Sequence, residues 1–332
     1  MVHIDFQTLT DAPASEHIYL EALRDALLDQ AVTEASDWRD ADIVHLFEVN
    51  CYTIAALRAF RYPTLVRMLR TDTPVVVSTD DLYFTGDPEL TARPRLYRLN
   101  HRTQSWLFDR ADAIIAISES VRENLTDHVD PAKIHVVHHG INDRYRVNDP
   151  PQTTDPFVLH VSLASKRKNP EAVVEAARRL DVPFVVGGSG WDEYFQNVEK
   201  TDNVERLGYV TEDELIDLYH EAAVFYFPTL HEGFGLPVLE AMAAGCAVVA
   251  SDVYAVPEVA GDTAVLHGPT DVDGHVEAIE RLLDDHGQRY ELAARAIDRS
   301  QQFSWKKTAH ETTEVYRSVL NGETSRVSSR IR

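Results

Sequence analysis

Two carboxylates, Glu232 and Glu240, lie seven residues apart across a Gly-rich turn in the stretch 230–251, LHEGFGLPVLEAMAAGCAVVAS. Gly233 and Gly235 allow a backbone to approach a ligand closely, and free N–H groups at a helix N-terminus favour phosphate. Glu232 precedes the helix and Glu240 lies inside it, so they are not a same-face helical pair. One carboxylate is carried by the loop and the other projects from the second helical turn. Two acceptor-only groups beside a phosphate site suit polyol hydroxyls such as those of a sugar and a ribose. The same residues also read as a strand–helix turn with a capping Glu and a surface Glu, and spacing alone leaves both readings open.

Other residues have types suited to chemistry. Lys166, Arg167 and Lys168 come just before a helix starting at Pro170. There they are placed against a diphosphate, their charge adding to the helix N-terminus. The plainer reading is a solvated basic turn. A β-branched run over 74–78 delivers Thr79-Asp80-Asp81 at its C-terminal end, where ligands bind in open α/β sheets. Asp80 can hold a hydroxyl, act as a base or cap the next turn, but it cannot donate a hydrogen bond while ionised. The turn Gly187-Gly188-Ser189-Gly190-Trp191 invites a nicotinamide-dinucleotide reading, yet the third Gly of that fingerprint is replaced by Glu193. Asp40-Ala41-Asp42 resembles a metal-binding triplet but leads into a strand instead of following one. His138 and His139 are neighbours on a strand and point to opposite faces. No metal site is expected.

These residues need elements to position them. The apolar run 224–227 reads as a buried strand ended by Pro228. A helix over 236–244 follows, with Pro237 in its first turn and Gly245 at its end. A second strand spans 246–250. This is a unit of a parallel sheet. Before it, strands are expected at 2–6, 42–47, 74–78, 113–117 and 134–138, with helices at 15–30, 57–69, 95–108 and 119–125. After a Pro/Asp-rich linker over 148–156, strands fall at 157–161, 183–186 and 204–209. Thr211 and Glu214 form a capping-box pattern, and helices follow at 271–283, 289–301 and from 305 to about 320. The class is α/β. The expected organisation is a first domain over 1–148, a second over 151–305, and a polar tail at 322–332 that reads as disordered.

The segment EGFGLPVLEAMAAGCAVVAS closely resembles the signature of glycosyltransferase family 4, retaining enzymes of GT-B fold, with Glu232 and Glu240 as its two Glu. The resemblance covers most of the chain, strongly over 112–320. It implies two Rossmann-like domains facing a central cleft, with the helix 306–320 crossing back to complete the first. It also implies that Glu232 contacts the transferred sugar and Glu240 the ribose hydroxyls. The backbone of Gly233, Phe234, Gly235 and Leu236 would meet the donor's sugar and diphosphate, and Arg167 with Lys168 would grip the diphosphate. On the same resemblance Gly188 would lie in a turn near the nucleotide, and Gly208 and Tyr209 would face the nucleobase. The Gly-Trp form of that turn resembles mannosyltransferase-like members. Two departures stand out. Asp80 replaces the family's His, and Leu9-Thr10-Asp11-Ala12-Pro13 replaces its Gly-Gly acceptor loop, so the first domain reads as shortened.

Composition sets further bounds. The 332 residues suffice for two domains. A net charge of −22, from 54 acidic and 32 basic residues, argues against general nucleic-acid binding. Only six of the basic residues are Lys, and an acidic, Lys-poor surface fits a salt-adapted cytoplasm as well as an ordinary acidic protein. Cys51 and Cys246 are expected as reduced thiols in a cytoplasmic setting. No run approaches 18 apolar residues, and MVHIDFQ lacks a signal-peptide pattern. The expected function is retaining transfer of a hexose from a nucleotide-diphosphate sugar, without cofactor or metal. GDP-mannose is favoured and a UDP-sugar is the alternative donor. The acceptor is a glycan, lipid-linked or other hydroxyl, which would bring the protein to the inner face of the membrane. A catalytically inactive nucleotide-sugar-binding protein of the same fold and a nicotinamide-dependent oxidoreductase are the rival readings.

Overall fold

The computed structural model describes residues 2–8, 14–30, 32–36, 39–47, 72–80, 94–196, 198–199 and 201–322. The expected helix 57–69, the loop 9–13, Asp81 and the tail beyond 322 lie outside them. The chain divides into two compact units, Met1–Gly140 with Ser304–Arg332, and Ile141–Phe303.

In the first unit, β1 (Val2–Thr8), α1 (Ala14–Leu28), β2 (Val32–Glu34), β3 (Ile43–Phe47) and β4 (Val75–Thr79) are followed by α2 (Pro94–Arg110), β5 (Ala113–Ala116), α3 (Glu119–Thr126) and β6 (Ile134–Val136). The strands form a parallel sheet ordered β2-β1-β3-β4-β5-β6. β3 is buried at all five positions and β5 at all four, as strands covered on both faces require. Ile4, Leu27, Ile43, Val76 and Ile115 share one core with Tyr316 and Val319 of the chain's last helix.

In the second unit the order is β7 (Val158–Val161), α4 (Pro170–Arg179), β8 (Phe184–Gly187), α5 (Trp191–Phe195), β9 (Val204–Gly208), α6 (Glu212–Glu221), β10 (Val224–Phe227), α7 (Leu236–Ala243), β11 (Ala247–Ser251), α8 (Val256–Ala260), β12 (Val265–His267), α9 (Val272–Asp284) and α10 (His286–Ser300). The parallel sheet runs β12-β11-β10-β7-β8-β9. Chain order therefore reverses between β7 and β10, and the carboxyl ends of such a strand pair form the ligand crevice of doubly wound sheets.

The last helix, α11 (Trp305–Asn321), belongs to the first unit, and Ser304 caps it by accepting from Lys307 N at 3.2 Å. A Cβ at Gly140 would lie 2.1 Å from Trp305 N, so only glycine permits this packing. The division falls at 140, ahead of the expected 148, for a hydrogen-bonding reason. Val147 N donates to Ala243 O at 3.0 Å, and Arg146 Nη2 donates to Phe303 O at 2.6 Å. The segment before the Pro-rich stretch is thus already stitched into the second unit. Sequence reading missed β2, α5, α8 and β12, each only three to five residues long, too short for periodicity to register.

Candidate active site

The loops leaving β7 and β10 meet at the switch point. After β7 the chain enters a 3₁₀ turn, Lys166–Lys168, and then Asn169 in the left-handed region at φ 54°. Asn tolerates that region better than most residues. Its Nδ2 donates to Pro228 O at 2.9 Å and to Pro269 O at 2.7 Å, while Leu230 N donates to Arg167 O at 2.8 Å. These bonds hold the basic turn against the end of β10.

The result is a charged cluster. Arg167 Nη1 donates to Glu232 Oε1 at 2.8 Å and to His231 O at 3.2 Å. Lys168 Nζ pairs with the same Oε1 and lies 4.5 Å from the centroid of the Phe227 ring. Thr229 Oγ1 is 3.3 Å from that oxygen. Among the described residues nothing donates to Glu232 Oε2, so its lone pairs remain for a ligand. Burial pushes the Glu232 carboxyl up, but Lys168 and Arg167 outweigh it and hold the group below its usual range. Lys168 is drawn down to about 8, by burial first and by Arg167 second. The pair is charged on both sides at neutral pH. The expected alternative of a solvated basic turn does not hold, since Lys168 is 8 % exposed.

Glu240 is likewise not a surface residue. It sits at 6 % exposure in the second turn of α7, and Tyr219 Oη donates to its Oε2 at 3.2 Å. Burial raises its pKa to about 7; the Tyr219 hydrogen bond works against that shift and Glu212 adds to it. The Lys168 charge acts on both Glu232 and Glu240. Nor is Glu232 the helix cap. That position is Gly235, at φ 94°, with Leu236 as the first helical residue and no side chain over the N-terminus. Phe234 is buried and packs edge-on against Phe303, their centroids 5.8 Å apart.

The Gly-Trp turn closes the same end of the sheet. Gly188 takes φ 109°, where an added Cβ would meet Ser162 O at 2.0 Å. Its N–H donates to Gly208 O at 2.7 Å, and Trp191 Nε1 donates to Ser162 O at 2.7 Å. Tyr209 follows Gly208 and is 79 % exposed, and Leu163 is exposed at 64 %. They leave an open ledge beside the turn.

Asp80 belongs to the first unit. It is half-buried past the end of β4 and lines a pocket with Ser78, Leu23 and His139. Two of the other residues considered for metal make contacts within the first unit. Asp42 Oδ2 accepts from His3 N at 2.9 Å, and the His139 ring contacts those of Tyr19 and Trp305. Sequence reasoning missed Thr229, Tyr219 and the setting of His231. His231 is 2 % exposed, its ring centroid is 4.0 Å from that of Tyr254, and its Nδ1 has no partner among the described residues. Only the adjacency of His231 to Glu232 could have pointed to it. Tyr219 reaches Glu240 from another helix, which no local pattern encodes.

Comparison with known proteins agrees with this geometry. A family model described as Glycosyl transferases group 1 matches residues 142–303, and one described as Glycosyltransferase Family 4 matches residues 12–145. The serotype-specific mannosyltransferase WbdA of Escherichia coli is 31% identical over 264 residues, covering 71% of this chain and 32% of the relative. The chain thus spans about a third of that protein's length. Sucrose-phosphate synthase (tll1590) from Thermosynechococcus elongatus superimposes with a TM-score of 0.81 at 17% identity, over 96% of this chain and 99% of that one. Anabaena Alr3699/HepE in complex with UDP-glucose gives 0.74 at 16% identity, over 96% and 100%. With two doubly wound parallel sheets and a family model matched on each side of their junction, the chain belongs to glycosyltransferase family 4, of GT-B fold.

Proposed function

We propose that the protein moves a hexose from a nucleoside-diphosphate sugar to a hydroxyl acceptor with retention at the anomeric carbon. The observation that carries this reading is the convergence of Arg167 and Lys168 on one oxygen of Glu232, which leaves the other oxygen to a ligand. In this mechanism the bond from the sugar's C1 to the diphosphate breaks. Negative charge gathers on the leaving oxygens, and Arg167, Lys168 and the uncapped N-terminus of α7 stabilise it. They are fixed beforehand by the hydrogen bonds around Asn169 and Thr229, as electrostatic catalysis requires. Glu232 Oε2 accepts from a sugar hydroxyl, and Glu240 accepts from the ribose. The acceptor oxygen bonds C1 from the face the diphosphate leaves, and its proton departs with the diphosphate. Gly188, Gly208 and Tyr209 border the nucleotide.

The mannosyltransferase relative supports mannose as the sugar, with GDP as the carrier. A UDP-sugar is the alternative, in keeping with the UDP-glucose held by a structural neighbour. The acceptor is a glycan or lipid-linked hydroxyl, met at the inner face of the membrane from the cytoplasm. No helix among the described residues is long and apolar enough to cross a membrane. The two cations occupy the role a divalent ion would otherwise take, and turnover is expected to be indifferent to EDTA.

The test measures release of GDP from GDP-mannose, and of UDP from UDP-glucose, in wild type, Glu232→Gln and Arg167→Ala. Arg167→Ala, which removes one charge-stabilising donor, should lower kcat on the order of 10²–10³-fold with the nucleotide still binding, and Glu232→Gln, which removes the carboxylate that orients the sugar, should lower kcat as well. Wild-type turnover in both variants would refute the assignment. Nucleotide binding by a wild type that turns over no donor would favour an inactive binding protein, the reading that Asp80 in place of His motivates.

A further inference from the structure

The chain leaving β11 turns back onto the loop that carries Glu232. Asp252 N donates to His267 O at 2.7 Å, and Val256 N closes a turn onto Val253 O at 3.1 Å. The two central residues of that turn are Tyr254, at φ 48°, and Ala255, at φ −79° and ψ −8°. A positive φ at the first central position is ordinarily filled by Gly, Asn or Asp. A bulky side chain there is an outlier, and such strain persists only where the surroundings over-determine it.

The surroundings here are the catalytic loop. The Tyr254 ring lies on that of His231, their centroids 4.0 Å apart at an interplanar angle of 54°. Ala255 N donates to Glu232 O at 3.5 Å. Val256 stands beside Gly235, its Cγ2 3.7 Å from where a Cβ on that glycine would lie, and α8 packs against α7. Residues 254, 255 and 256 thus meet residues 231, 232 and 235. The far end of α8 is pinned in turn. Arg299 of α10 donates through Nε to Val259 O and through Nη2 to Glu258 O, both at 2.6 Å.

His231 is the part of the loop that needs such a support. Its carbonyl accepts from Arg167 Nη1 at 3.2 Å and from Thr229 Oγ1 at 3.1 Å. Its ring is buried and, among the described residues, held by no hydrogen bond. Burial first and the Arg167 charge second draw it down to about 4, so the ring is neutral at pH 7. Contact with Tyr254 fixes it instead. The two cations hold Glu232 Oε1 from one side, and the turn holds the backbone of 231 and 232 from another.

We propose that Tyr254 is a positioning residue for Glu232. Its ring, carried by a left-handed backbone, latches His231 and keeps Oε2 of the neighbouring carboxylate at one place before a ligand arrives. That this carboxylate orients a transferred sugar rests on the proposed function; the latch does not.

The test compares wild type, Tyr254→Gly and Tyr254→Phe. Glycine suits the turn and removes the ring, and phenylalanine keeps the ring. Hydrogen exchange is read by mass spectrometry over 229–235, beside kcat and KM for GDP-mannose and UDP-glucose and the affinities of GDP and UDP. Tyr254→Gly should exchange faster over 229–235. Its kcat should fall on the order of ten- to a hundredfold, the scale of a small misplacement, with nucleotide affinity unchanged. Tyr254→Phe should match wild type in every reading. Wild-type exchange over 229–235 in Tyr254→Gly would overturn the proposal, and so would faster exchange with an unchanged kcat. A Tyr254→Phe as slow as Tyr254→Gly would overturn it in favour of a direct contact between the hydroxyl and the substrate. A wild type that turns over neither donor would refute the transferase reading alone, and the exchange comparison would still decide the latch.

Discussion

Glu240 offers the sharpest quantitative consequence of the site. Its pKa is raised from 4.5 to about 7 by burial, with a smaller contribution from Glu212 and opposition from Tyr219. The difference of about 2.5 units is worth about 3 kcal/mol at 1.36 kcal/mol per unit. Between these two values the folded protein keeps a proton that the unfolded chain releases. Stability must therefore fall as pH rises from 4.5 to 7 and level off above. The perturbation is Glu240→Gln, which keeps the shape and removes the titration. Urea unfolding of wild type and variant side by side cancels the other carboxylates. Wild-type stability relative to the variant should drop by about 3 kcal/mol from pH 4.5 to above 7. A ribose would change this balance. Its hydroxyls donate to the ionised carboxylate, so binding should draw the pKa back down, release a proton below pH 7 and weaken as pH falls. A 2′,3′-dideoxy nucleotide should show neither effect. Equal pH profiles for wild type and Glu240→Gln, or for ribose and dideoxy ligands, would refute the argument.

Lys168, drawn down to about 8 by burial and Arg167, should give kcat/KM an alkaline limb near that value; Lys168→Arg should move the limb upward, because guanidinium does not deprotonate there. From about 8 to 10.5 the unfolded chain holds the proton that the folded one lacks, so this lysine's contribution to stability should rise with pH across that window in urea unfolding. Gly188→Ala should lower the melting temperature and weaken nucleotide binding, since its Cβ would stand 2.0 Å from Ser162 O at φ 109°. With 54 acidic against 32 basic residues, added KCl should raise the melting temperature until repulsion is screened; a flat response would remove the case for salt adaptation. Nitrogen-15 NMR should find His45 protonated at Nε2 and His160 at Nδ1, and a proton on Nδ1 of His45 would undo the polarity assigned to its contact with Tyr316.

The sheets were legible because their strands are short apolar runs ended by Pro, Gly or Asp, as at 224–227, and buried strands need no alternation. The helix after Gly235 was legible because Pro237 and Gly245 bracket it. Arg167 and Lys168 were legible as charges out of place in an acidic chain. That both would settle on one oxygen of Glu232 was not, because the contact joins loops 64 and 65 residues apart. Glu240 illustrates the same limit. A Glu in the second turn of a helix reads as solvated, and only the packing of Tyr219 from another element makes it a buried group with a displaced pKa.

His45 and His160 show why the remaining part is unreadable from sequence even when the local pattern repeats. Each stands in a buried strand of its sheet, and burial holds each down to about 3. Each has a serine at one nitrogen, Ser78 at 2.8 Å and Ser162 at 2.9 Å. The second partner decides everything. His160 Nδ1 meets Tyr226 O, a carbonyl that can only accept, at 2.8 Å. Its Nδ1 therefore carries the proton, and Nε2 accepts from Ser162. His45 Nδ1 meets instead a tyrosine hydroxyl delivered by a helix 271 residues further along the chain, and the polarity reverses. Tyr316 Oη must donate to that nitrogen or leave its own proton buried and unsatisfied, so one serine donates to its histidine while the other accepts from it. A difference of this kind lives in which tertiary partner arrives, so a buried histidine beside a serine can take either polarity and the residues of its own strand do not decide which.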